Sequence, residues 1–295
     1  MKSRSARIQL VVILALFCFS GLACSSPKAT SQRGHLVIIG GGERADYMMQ
    51  RIVDLAGGAE ARFLIVPNAS SDPIGTAEYQ KEQLESYGVS SVDYVNLTSE
   101  TVDDDTSLAN LDGITGIFFS GGDQSRLQAV LNGTEFLRRI HSIYDNGGLI
   151  SGTSAGAAVM SELMITGNEL VSQDSIHPFG FVQEGNIEAL EGFGLVTKAI
   201  IDQHFVRRKR LNRLITLILE NPHLVGVGID ESTAIVVYPD DTFEVLGEYT
   251  VMVFDPSRAK NIAADGNGNL SASGVALHIL QAGQRYDLKS RRILH

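Results

Sequence analysis

Short apolar runs alternate with helical patterns through the first half of the chain, and this alternation restricts the fold more than any other feature. The runs lie at 34–39, 62–66, 92–95, 114–119 and 148–150, and most of them end in glycine or proline. Near-continuous apolar strands joined by amphipathic helices are typical of a parallel sheet covered on both faces. We therefore predict an α/β fold, a three-layer sandwich with a mostly parallel central sheet. Ligands bind such sheets at the carboxyl ends of the strands, where the glycine-rich turns fall here.

The pattern changes in the second half of the chain. Residues 169–194 are rich in loop-forming types, 199–202 has the character of a strand, and 207–219 that of an amphipathic helix. Beyond them, short strand-like runs predominate. We find no internal repeat and no linker within 34–295, and we predict that these residues form a single α/β domain with a β-rich C-terminal portion.

The first residues have the character of a targeting segment. A basic start is followed by an apolar run at 8–19, which is too short to span a membrane comfortably. The sequence at 21–24 resembles a bacterial lipoprotein cleavage box, in which Cys24 becomes the lipidated first residue. We predict a signal peptide at 1–23, a polar tether at 24–33, and an exported protein attached to the cell envelope by a lipid on Cys24. The alternative is ordinary cleavage and a freely secreted protein.

Charge and cysteine content exclude several classes of function. There are 24 basic and 34 acidic residues and a net charge of −10, which argues against general nucleic-acid binding. Cys18 and Cys24 both precede the predicted domain, so it cannot contain a disulfide framework, a cysteine zinc site or a cysteine nucleophile. Residues 265–269 resemble the start of a calcium loop, but Leu270 and Ala276 stand where glycine and glutamate are needed. We predict a turn there, and neither a metal nor an organic cofactor.

A candidate nucleophile lies in a tight turn at 152–156, Gly-Thr-Ser-Ala-Gly. The turn follows an apolar strand and precedes a helix-compatible run at 157–163. Ser154 in such a turn would hold a strained backbone with its hydroxyl exposed at the sheet edge, and flanking glycines avoid clashes. The N–H of Ala155, at the start of a helix, could stabilise developing negative charge. The structural alternative is a plain strand–turn–helix connection with a capping serine.

A serine nucleophile needs a base, and the base needs an orienting acid. His204 follows the predicted strand 199–202 and would therefore lie at the same edge of the sheet as the candidate nucleophile. Asp230 and Glu231 follow a strand-like run at 224–229. Either carboxylate could orient the histidine, and the residue types alone do not decide between them. The structural alternatives are a core histidine and a solvated acidic turn.

Two further features point to an anionic ligand. The turn at 121–124, Gly-Gly-Asp-Gln, ends another buried strand, and an N–H in it could be a second oxyanion donor. A simple helix start or a phosphate loop is the alternative, although no lysine follows in the spacing of a nucleotide-binding loop.

A run of basic residues lies at 207–213, shortly after His204. Arginine suits paired hydrogen bonds to carboxylates, so this run could bind an acidic substrate, whereas a solvated surface is the plain alternative. The run consists of Arg207, Arg208, Lys209, Arg210 and Arg213.

Together these segments resemble the cyanophycinase family over about residues 34–255. The resemblance implies a serine exopeptidase related to aspartyl dipeptidase, with a fold like that of class I glutamine amidotransferases. Its implied substrate is cyanophycin, a polyaspartate chain with arginine on each side-chain carboxyl, which the family cleaves to β-Asp-Arg dipeptides. The motifs that carry the resemblance are 121–124, 152–156, Asp-Gln-His-Phe at 202–205, Arg208, Arg210, Asn-Arg-Leu at 212–214 and 229–234.

The resemblance also implies roles for single residues. Ser154 would be the nucleophile, His204 the base and Glu231 the orienting acid. The N–H groups of Gly122 and Ala155 would be the oxyanion donors. The substrate partner would be an acidic peptide or the polyaspartate–arginine polymer, and a homodimer is compatible with the resemblance. The implied substrate contacts are Gln124, Asp202, Gln203, Arg208, Arg210 and Arg213, while Arg207 and Lys209 have no assigned role.

Three other functions remain open from the sequence. The first is an exported peptidase for another acidic or β-aspartyl peptide, because an intracellular storage polymer does not require an exported enzyme. The second is an α/β-hydrolase esterase, in which the acid would precede His278 or His295 in the chain. The third is a lipid-anchored binding protein that keeps the fold and the anion pocket without catalysis.

Overall fold

Two β-sheets dominate the computed structural model, which describes residues 33–173, 176 and 178–294. The predicted signal peptide, Cys24 and nearly all of the predicted tether lie outside these residues, as do His177 and His295. Within them, no helix is long and apolar enough to cross a bilayer. The same described residues contain no group of three or more His, Cys, Asp or Glu side chains that could hold a metal ion. They belong to one compact unit.

The strands and helices follow one another in chain order. The first half contains β1 (His35–Ile39), α1 (Asp46–Ala56), β2 (Arg62–Val66), α2 (Pro73–Ser86), β3 (Ser91–Tyr94), α3 (Asp105–Ala109), β4 (Gly116–Phe119), α4 (Gln124–Leu131), α5 (Glu135–Asp145), β5 (Leu149–Thr153) and α6 (Ala155–Ala158). The second half contains β6 (Leu163–Glu169), β7 (Ile187–Glu191), β8 (Ala199–Asp202), α7 (Leu211–Glu220), β9 (Val225–Ile229), β10 (Thr233–Val237), β11 (Thr242–Gly247), β12 (Val251–Asp255), β13 (Lys260–Ala264), β14 (Leu270–Ser273), β15 (Ala276–Leu280), β16 (Arg285–Asp287) and β17 (Arg292–Leu294).

The central sheet has the strand order β17-β16-β11-β10-β1-β5-β4-β2-β3. Strands β1, β5, β4, β2 and β3 are parallel, and β10, β11, β16 and β17 extend the sheet in antiparallel fashion. Helices α1 and α2 cover one face through residues such as Ile52 and Leu84, while α4 and α5 cover the other through Leu127 and Ile140. The predicted α/β fold with a mostly parallel central sheet is confirmed.

A second sheet, in the order β15-β12-β9-β8, packs beside the central one. Ile201, Val227 and Val253 join the same hydrophobic core as the central sheet, and Leu214 and Ile218 of α7 pack on the opposite face. The β-rich C-terminal portion is therefore divided between the two sheets. His204 follows the carboxyl end of β8 and Glu231 follows that of β9, so this second sheet positions two of the candidate site residues.

Three local predictions differ from the structure. The helix-compatible run at 157–163 is helical only to Ala158, because Ser161 leaves the helix to pair with the segment around 196. The helix predicted at 207–219 begins at Leu211, since Lys209 adopts a left-handed conformation with φ 54°. The stretch predicted as loop-rich, 169–194, contains β7 and the end of β6.

The turn predicted at 265–269 is confirmed. It connects β13 to β14 in a two-stranded ribbon. The Asp265 carboxylate accepts hydrogen bonds from the N–H groups of Asn267 and Asn269, at 2.8 and 2.9 Å, and from the Asn269 side chain at 3.1 Å. These bonds use both carboxylate oxygens to close the turn on itself.

Candidate active site

Ser154 occupies a strained turn between β5 and α6. Its backbone has φ 55° and ψ −109°, a conformation that costs energy in a non-glycine residue, and its N–H donates to the Ile39 carbonyl at 2.9 Å. A Cβ atom on Gly152 would lie 2.5 Å from the Gly156 carbonyl oxygen, and one on Gly156 would lie 2.4 Å from that of Phe119. The turn therefore requires both glycines, and it directs the hydroxyl away from the sheet as the sequence motif suggests.

His204 connects the serine to a carboxylate. The Ser154 hydroxyl lies 2.8 Å from His204 Nε2, and His204 Nδ1 lies 2.7 Å from Glu231 Oε1. Because an ionised carboxylate only accepts hydrogen bonds, Nδ1 carries the ring proton and donates a hydrogen bond to Glu231. Nε2 is then free to accept the hydrogen bond from the Ser154 hydroxyl. The arrangement has the geometry needed to activate a serine oxygen.

Asp230, the other carboxylate considered from the sequence, faces elsewhere. Its Oδ1 accepts a hydrogen bond from the Arg207 N–H at 2.9 Å, and its side chain is buried. Glu231 is the residue whose carboxylate reaches His204. The geometry therefore identifies which of the two acids can orient His204, a choice that the residue types alone did not decide.

The environment of His204 keeps its ring neutral. Burial lowers the pKa of His204 below its usual value, and the positive charges of Arg208 and Arg210 lower it further. The hydrogen bond to Glu231 and the negative charge of Glu231 act in the opposite direction. The net pKa is lowered, so the imidazole can accept a proton at neutral pH.

A glycine run after β1 supports the histidine and the glutamate, and sequence reasoning treated it only as a strand end. A Cβ atom on Gly41, which has φ 107°, would lie 2.3 Å from the His204 ring. One on Gly42 would lie 2.9 Å from the Glu231 Cβ atom. The Gly40 carbonyl accepts the His204 N–H at 2.8 Å. Three consecutive glycines at the carboxyl end of a central strand were the signal that could have identified this support.

Two backbone N–H groups beside Ser154 make no hydrogen bond within the described residues. They belong to Gly122, in the turn after β4, and to Ala155, at the start of α6. The turn after β4 approaches the serine closely, since a Cβ atom on Gly121 would lie 3.4 Å from that of Ser154. Gly122 has φ 138° and lies against the Ala69 carbonyl, so no other residue fits there. Both N–H groups are available to an oxyanion.

A polar cavity of about 280 Å³ opens beside Ser154. Larger surface cavities, of about 480 and 560 Å³, lie elsewhere and contain none of the residues that surround the serine. The cavity carries three arginine side chains, which suit an anionic ligand on an otherwise acidic protein. Its lining residues are Gly122, Asp123, Gln124, Ser125, Ser154, Thr166, Gly167, Asn168, Phe179, Gln203, Arg208, Arg210 and Arg213.

Asp202 does not line the cavity, which corrects the expectation that it meets the substrate. Its side chain is 0% exposed. Oδ2 accepts a hydrogen bond from Arg213 Nε at 2.8 Å, while Oδ1 accepts one from Arg213 Nη2. The carboxylate is therefore committed to a buried ion pair. Its effect on a ligand passes through Arg213, whose guanidinium also lies over the Phe179 ring at 5.0 Å from the centroid.

The other predicted substrate contacts all line the cavity, and hydrogen bonds hold some of their side chains more firmly than others. Gln124 donates to the backbone carbonyls of Ile165 and Thr166, at 2.8 and 2.6 Å. Arg210 Nη1 donates to both the backbone and the side-chain oxygen of Gln203. Burial and the charge of the neighbouring Arg213 lower the pKa of Arg210 to about 10, so Arg210 stays charged at neutral pH.

The basic residues of 207–209 lie on the outer rim. Arg208 lines the cavity, is half exposed, and has its Nε 3.9 Å from Glu231 Oε1. Arg207 is 75% exposed, with its Nε 3.9 Å from Glu231 Oε2. Neither pair is tight, and exposed pairs of this kind contribute little to stability.

Sequence reasoning missed the contribution of the β6–β7 hairpin to the cavity. Thr166, Gly167 and Asn168 line one side of it, and Phe179 comes from the connection between the two strands. The register of the hairpin shifts between Ile165 and Glu169, so β6 lacks the regular alternation that identifies a strand.

His278, the base of the esterase alternative, lies away from the serine. It is on β15, and its ring packs against Tyr286 with centroids 5.6 Å apart. It is not among the residues that line the cavity. Of the two described histidines considered as bases, His204 is the one in contact with Ser154.

Comparisons with known proteins bear on the family and the fold of the chain. The model of peptidase family S51 matches residues 36–245. A cyanophycinase from Synechococcus elongatus is 34% identical over 277 residues, covering 90% of this chain and 83% of the relative. One from Trichormus variabilis is 31% identical over 284 residues, covering 92% and 91%. The crystal structure of a peptidase from an acI-B1 Actinobacterium superposes with a TM-score of 0.66 at 22% identity, covering 88% and 98% of the two chains, which supports the fold.

Proposed function

The chain belongs to peptidase family S51, and on this premise we propose that it is a serine-type exopeptidase that hydrolyses cyanophycin to β-Asp-Arg dipeptides. The observation that carries the proposal is the hydrogen-bonded series from Ser154 through His204 to Glu231. The cationic cavity beside Ser154 supports an acidic peptide as the substrate. Membership of a peptidase family weakens the esterase and binding-protein alternatives.

In the acylation step, His204 Nε2 takes the hydroxyl proton as Ser154 Oγ attacks the scissile carbonyl carbon. Glu231 stabilises the imidazolium that forms and keeps the ring in the required orientation. The N–H groups of Gly122 and Ala155 donate to the carbonyl oxygen as it becomes negative, an interaction worth roughly 3–4 kcal/mol for each donor. His204 then gives the proton to the leaving amine, and the C–N bond breaks.

In the deacylation step, water replaces the amine. His204 removes a proton from the water as its oxygen attacks the acyl-enzyme ester. The ester C–O bond breaks, and the proton returns from His204 to Ser154 Oγ. The free carboxylic acid product then ionises and leaves.

Substrate binding follows from the charges of the cavity. Arg208, Arg210 and Arg213 can hold the free carboxylates of the substrate, which are those of the arginyl groups and of the chain end, because the aspartyl side-chain carboxyls are joined to arginine. Of these, Arg213 is the most fixed, because the Asp202 carboxylate holds two of its nitrogens. Its third, Nη1, donates no hydrogen bond within the described residues and is available to a ligand.

The test is incubation of the purified protein with cyanophycin, followed by mass analysis of the products. We expect β-Asp-Arg from the wild-type protein and a loss of rate of at least about 10³-fold for Ser154→Ala and for His204→Ala. His278→Ala is the matched control and should retain nearly the wild-type rate. If a fluorophosphonate labels Ser154 but cyanophycin stays intact, the enzyme is a peptidase for another acidic or β-aspartyl peptide. Loss of activity with His278→Ala alone would instead support the esterase.

We further propose that the enzyme is exported and held at the bacterial cell envelope by a lipid on Cys24. Support comes from the sequence alone, through the basic start, the apolar run and the cleavage box. Growth with a labelled fatty acid should label the wild-type protein but not Cys24→Ala, while Cys18→Ala should be labelled normally. Unlabelled protein in the medium would indicate simple secretion. The homodimer also stays a prediction, which sedimentation velocity can test.

A further inference from the structure

Glu188 does not line the catalytic cavity itself but forms hydrogen bonds with two side chains that do. It is on β7, in the hairpin that forms one side of the cavity. Its Oε2 accepts hydrogen bonds from Thr166 Oγ1 at 2.7 Å and from Asn168 Nδ2 at 2.8 Å. Both donors line the cavity beside Ser154. Thr166 and Asn168 therefore fix the position of the Glu188 carboxylate, and a substrate in the cavity would lie against the same two side chains.

The charge of Glu188 is not balanced by any basic side chain of the described residues. Among the described residues, the groups that act on its charge are the neutral side chains of Thr166 and Asn168. Its second oxygen, Oε1, accepts no hydrogen bond in the same part of the chain. The hydrogen bonds from Thr166 and Asn168 hold the pKa of Glu188 below its usual value, so it is ionised at neutral pH. A fixed, ionised and unpaired carboxylate is suited to bind a cation.

A second cavity, of about 490 Å³, gives this carboxylate access to a ligand. It shares Gly167, Asn168 and Phe179 with the catalytic cavity, so the two adjoin along the hairpin. The catalytic cavity carries three arginines, whereas Glu188 and Glu169 are the only charged residues among the described lining of the second one. The two cavities therefore present opposite charges to a single ligand.

We propose that Glu188 binds the guanidinium group of the arginyl side chain of the substrate. The inference rests on the proposed function, because a β-Asp-Arg unit carries both a carboxylate and a guanidinium. With the carboxylate held by the arginines of the catalytic cavity, the flexible arginyl chain can extend past Asn168 into the adjoining cavity. There the guanidinium pairs with Glu188 in a charge-assisted hydrogen bond. Glu188 is accordingly a specificity residue, and the catalytic groups do not depend on it.

The test compares two synthetic peptides on a polyaspartate backbone. One carries arginine on each side-chain carboxyl, and the other carries citrulline, which has nearly the same shape but no charge. We expect Glu188→Gln to lower kcat/KM for the arginine peptide by about 10- to 100-fold and to change the citrulline value less than about threefold. Glu191→Gln is the matched control, because Glu191 is an exposed glutamate on the same strand and outside both cavities.

The remaining outcomes overturn the inference in distinguishable ways. An equal loss on both peptides would mean that Glu188 only holds Thr166 and Asn168 in place. An unchanged arginine value, or a selective loss with Glu169→Gln instead, would assign the guanidinium to another group. If the wild-type protein cleaves neither peptide, the proposed function itself fails and this inference fails with it. Fluorophosphonate labelling of Glu188→Gln checks that the variant is folded in each case.

Discussion

Among single residues, the side chains around His204 set the pH range in which it can act as a base. A base must be neutral to accept a proton, and burial with the two neighbouring arginines lowers the pKa of His204 below 6.5. The rate should therefore be constant through neutral pH and fall as the pH drops through this lowered pKa. A profile of kcat/KM against pH measures it, and a midpoint above 6.5 would contradict the assignment of His204 as the base.

Replacing Glu231 should change both the height and the position of this profile. Glu231 raises the pKa of His204, so in Glu231→Gln the pKa falls further and the acidic limb moves to lower pH. The maximal rate should fall by about 10²- to 10⁴-fold, because the carboxylate no longer orients and stabilises the imidazolium. Asp230→Asn is the matched control, since Asp230 bonds to the Arg207 N–H instead. Equal effects of the two substitutions would contradict the role of Glu231.

The buried pair of Asp202 and Arg213 leads to a prediction about stability. Asp202→Asn leaves a buried guanidinium without its counter-charge, which should lower the free energy of unfolding by about 3–5 kcal/mol. The exposed pair of Glu135 and Arg138 is the control, and Glu135→Gln should cost less than about 1 kcal/mol. Urea unfolding measures both. Similar unfolding midpoints for the two variants would contradict the inference that the buried pair contributes more to stability than the exposed one.

Among the elements, the glycine run after β1 is predicted to matter for catalysis more than for stability. In Gly41→Ala the new methyl group would collide with the His204 ring, so we expect kcat to fall by at least about 100-fold as the base is displaced. Gly88→Ala is the matched control, because Gly88 also has a positive φ but has open space around it. Both should lose about 1 kcal/mol of stability from the backbone strain alone. Equal kcat values for the two variants would contradict this role.

The elements differ in how far the sequence could predict them. The parallel strands of the central sheet could be predicted because each apolar run and the glycine or proline after it lie within a few residues. The β6–β7 hairpin could not, because its register shift removes the alternation and its partner strand follows a long connection. Helix α7 was predicted to begin too early, since the left-handed turn at Lys209 is set by contacts made elsewhere in the fold.

The residues of the candidate site also differ in whether the sequence could predict their roles. Ser154, His204 and Glu231 could be proposed because each follows a predicted strand, although the structure distributes those strands over two sheets and not one. The pairing of Asp202 could not be predicted, because an aspartate near several arginines fits a structural ion pair and a substrate contact equally well. The folded structure brings Arg213, eleven residues away, into contact with both carboxylate oxygens of Asp202.

Considered as a whole, the molecule assembles its candidate catalytic groups across two sheets. Ser154 follows β5 of the central sheet, whereas His204 and Glu231 follow β8 and β9 of the second one. The hydrogen bond from Ser154 to His204 therefore depends on how the sheets pack, and the shared core between them fixes that packing. No local pattern could predict this dependence, because it arises from contacts between residues far apart in the chain.

A comparison of two core cavities tests this dependence. Ile201→Ala creates a cavity in the core between the two sheets, close to His204, whereas Ile52→Ala creates one between α1 and the central sheet. Both residues are buried, so each substitution should cost about 2–5 kcal/mol of stability. Measured well below both melting temperatures, kcat should fall by about tenfold or more only for Ile201→Ala, because loss of packing lets the sheets shift and lengthens the Ser154–His204 contact. If the two variants lose kcat equally, the packing between the sheets does not control the alignment of the catalytic groups.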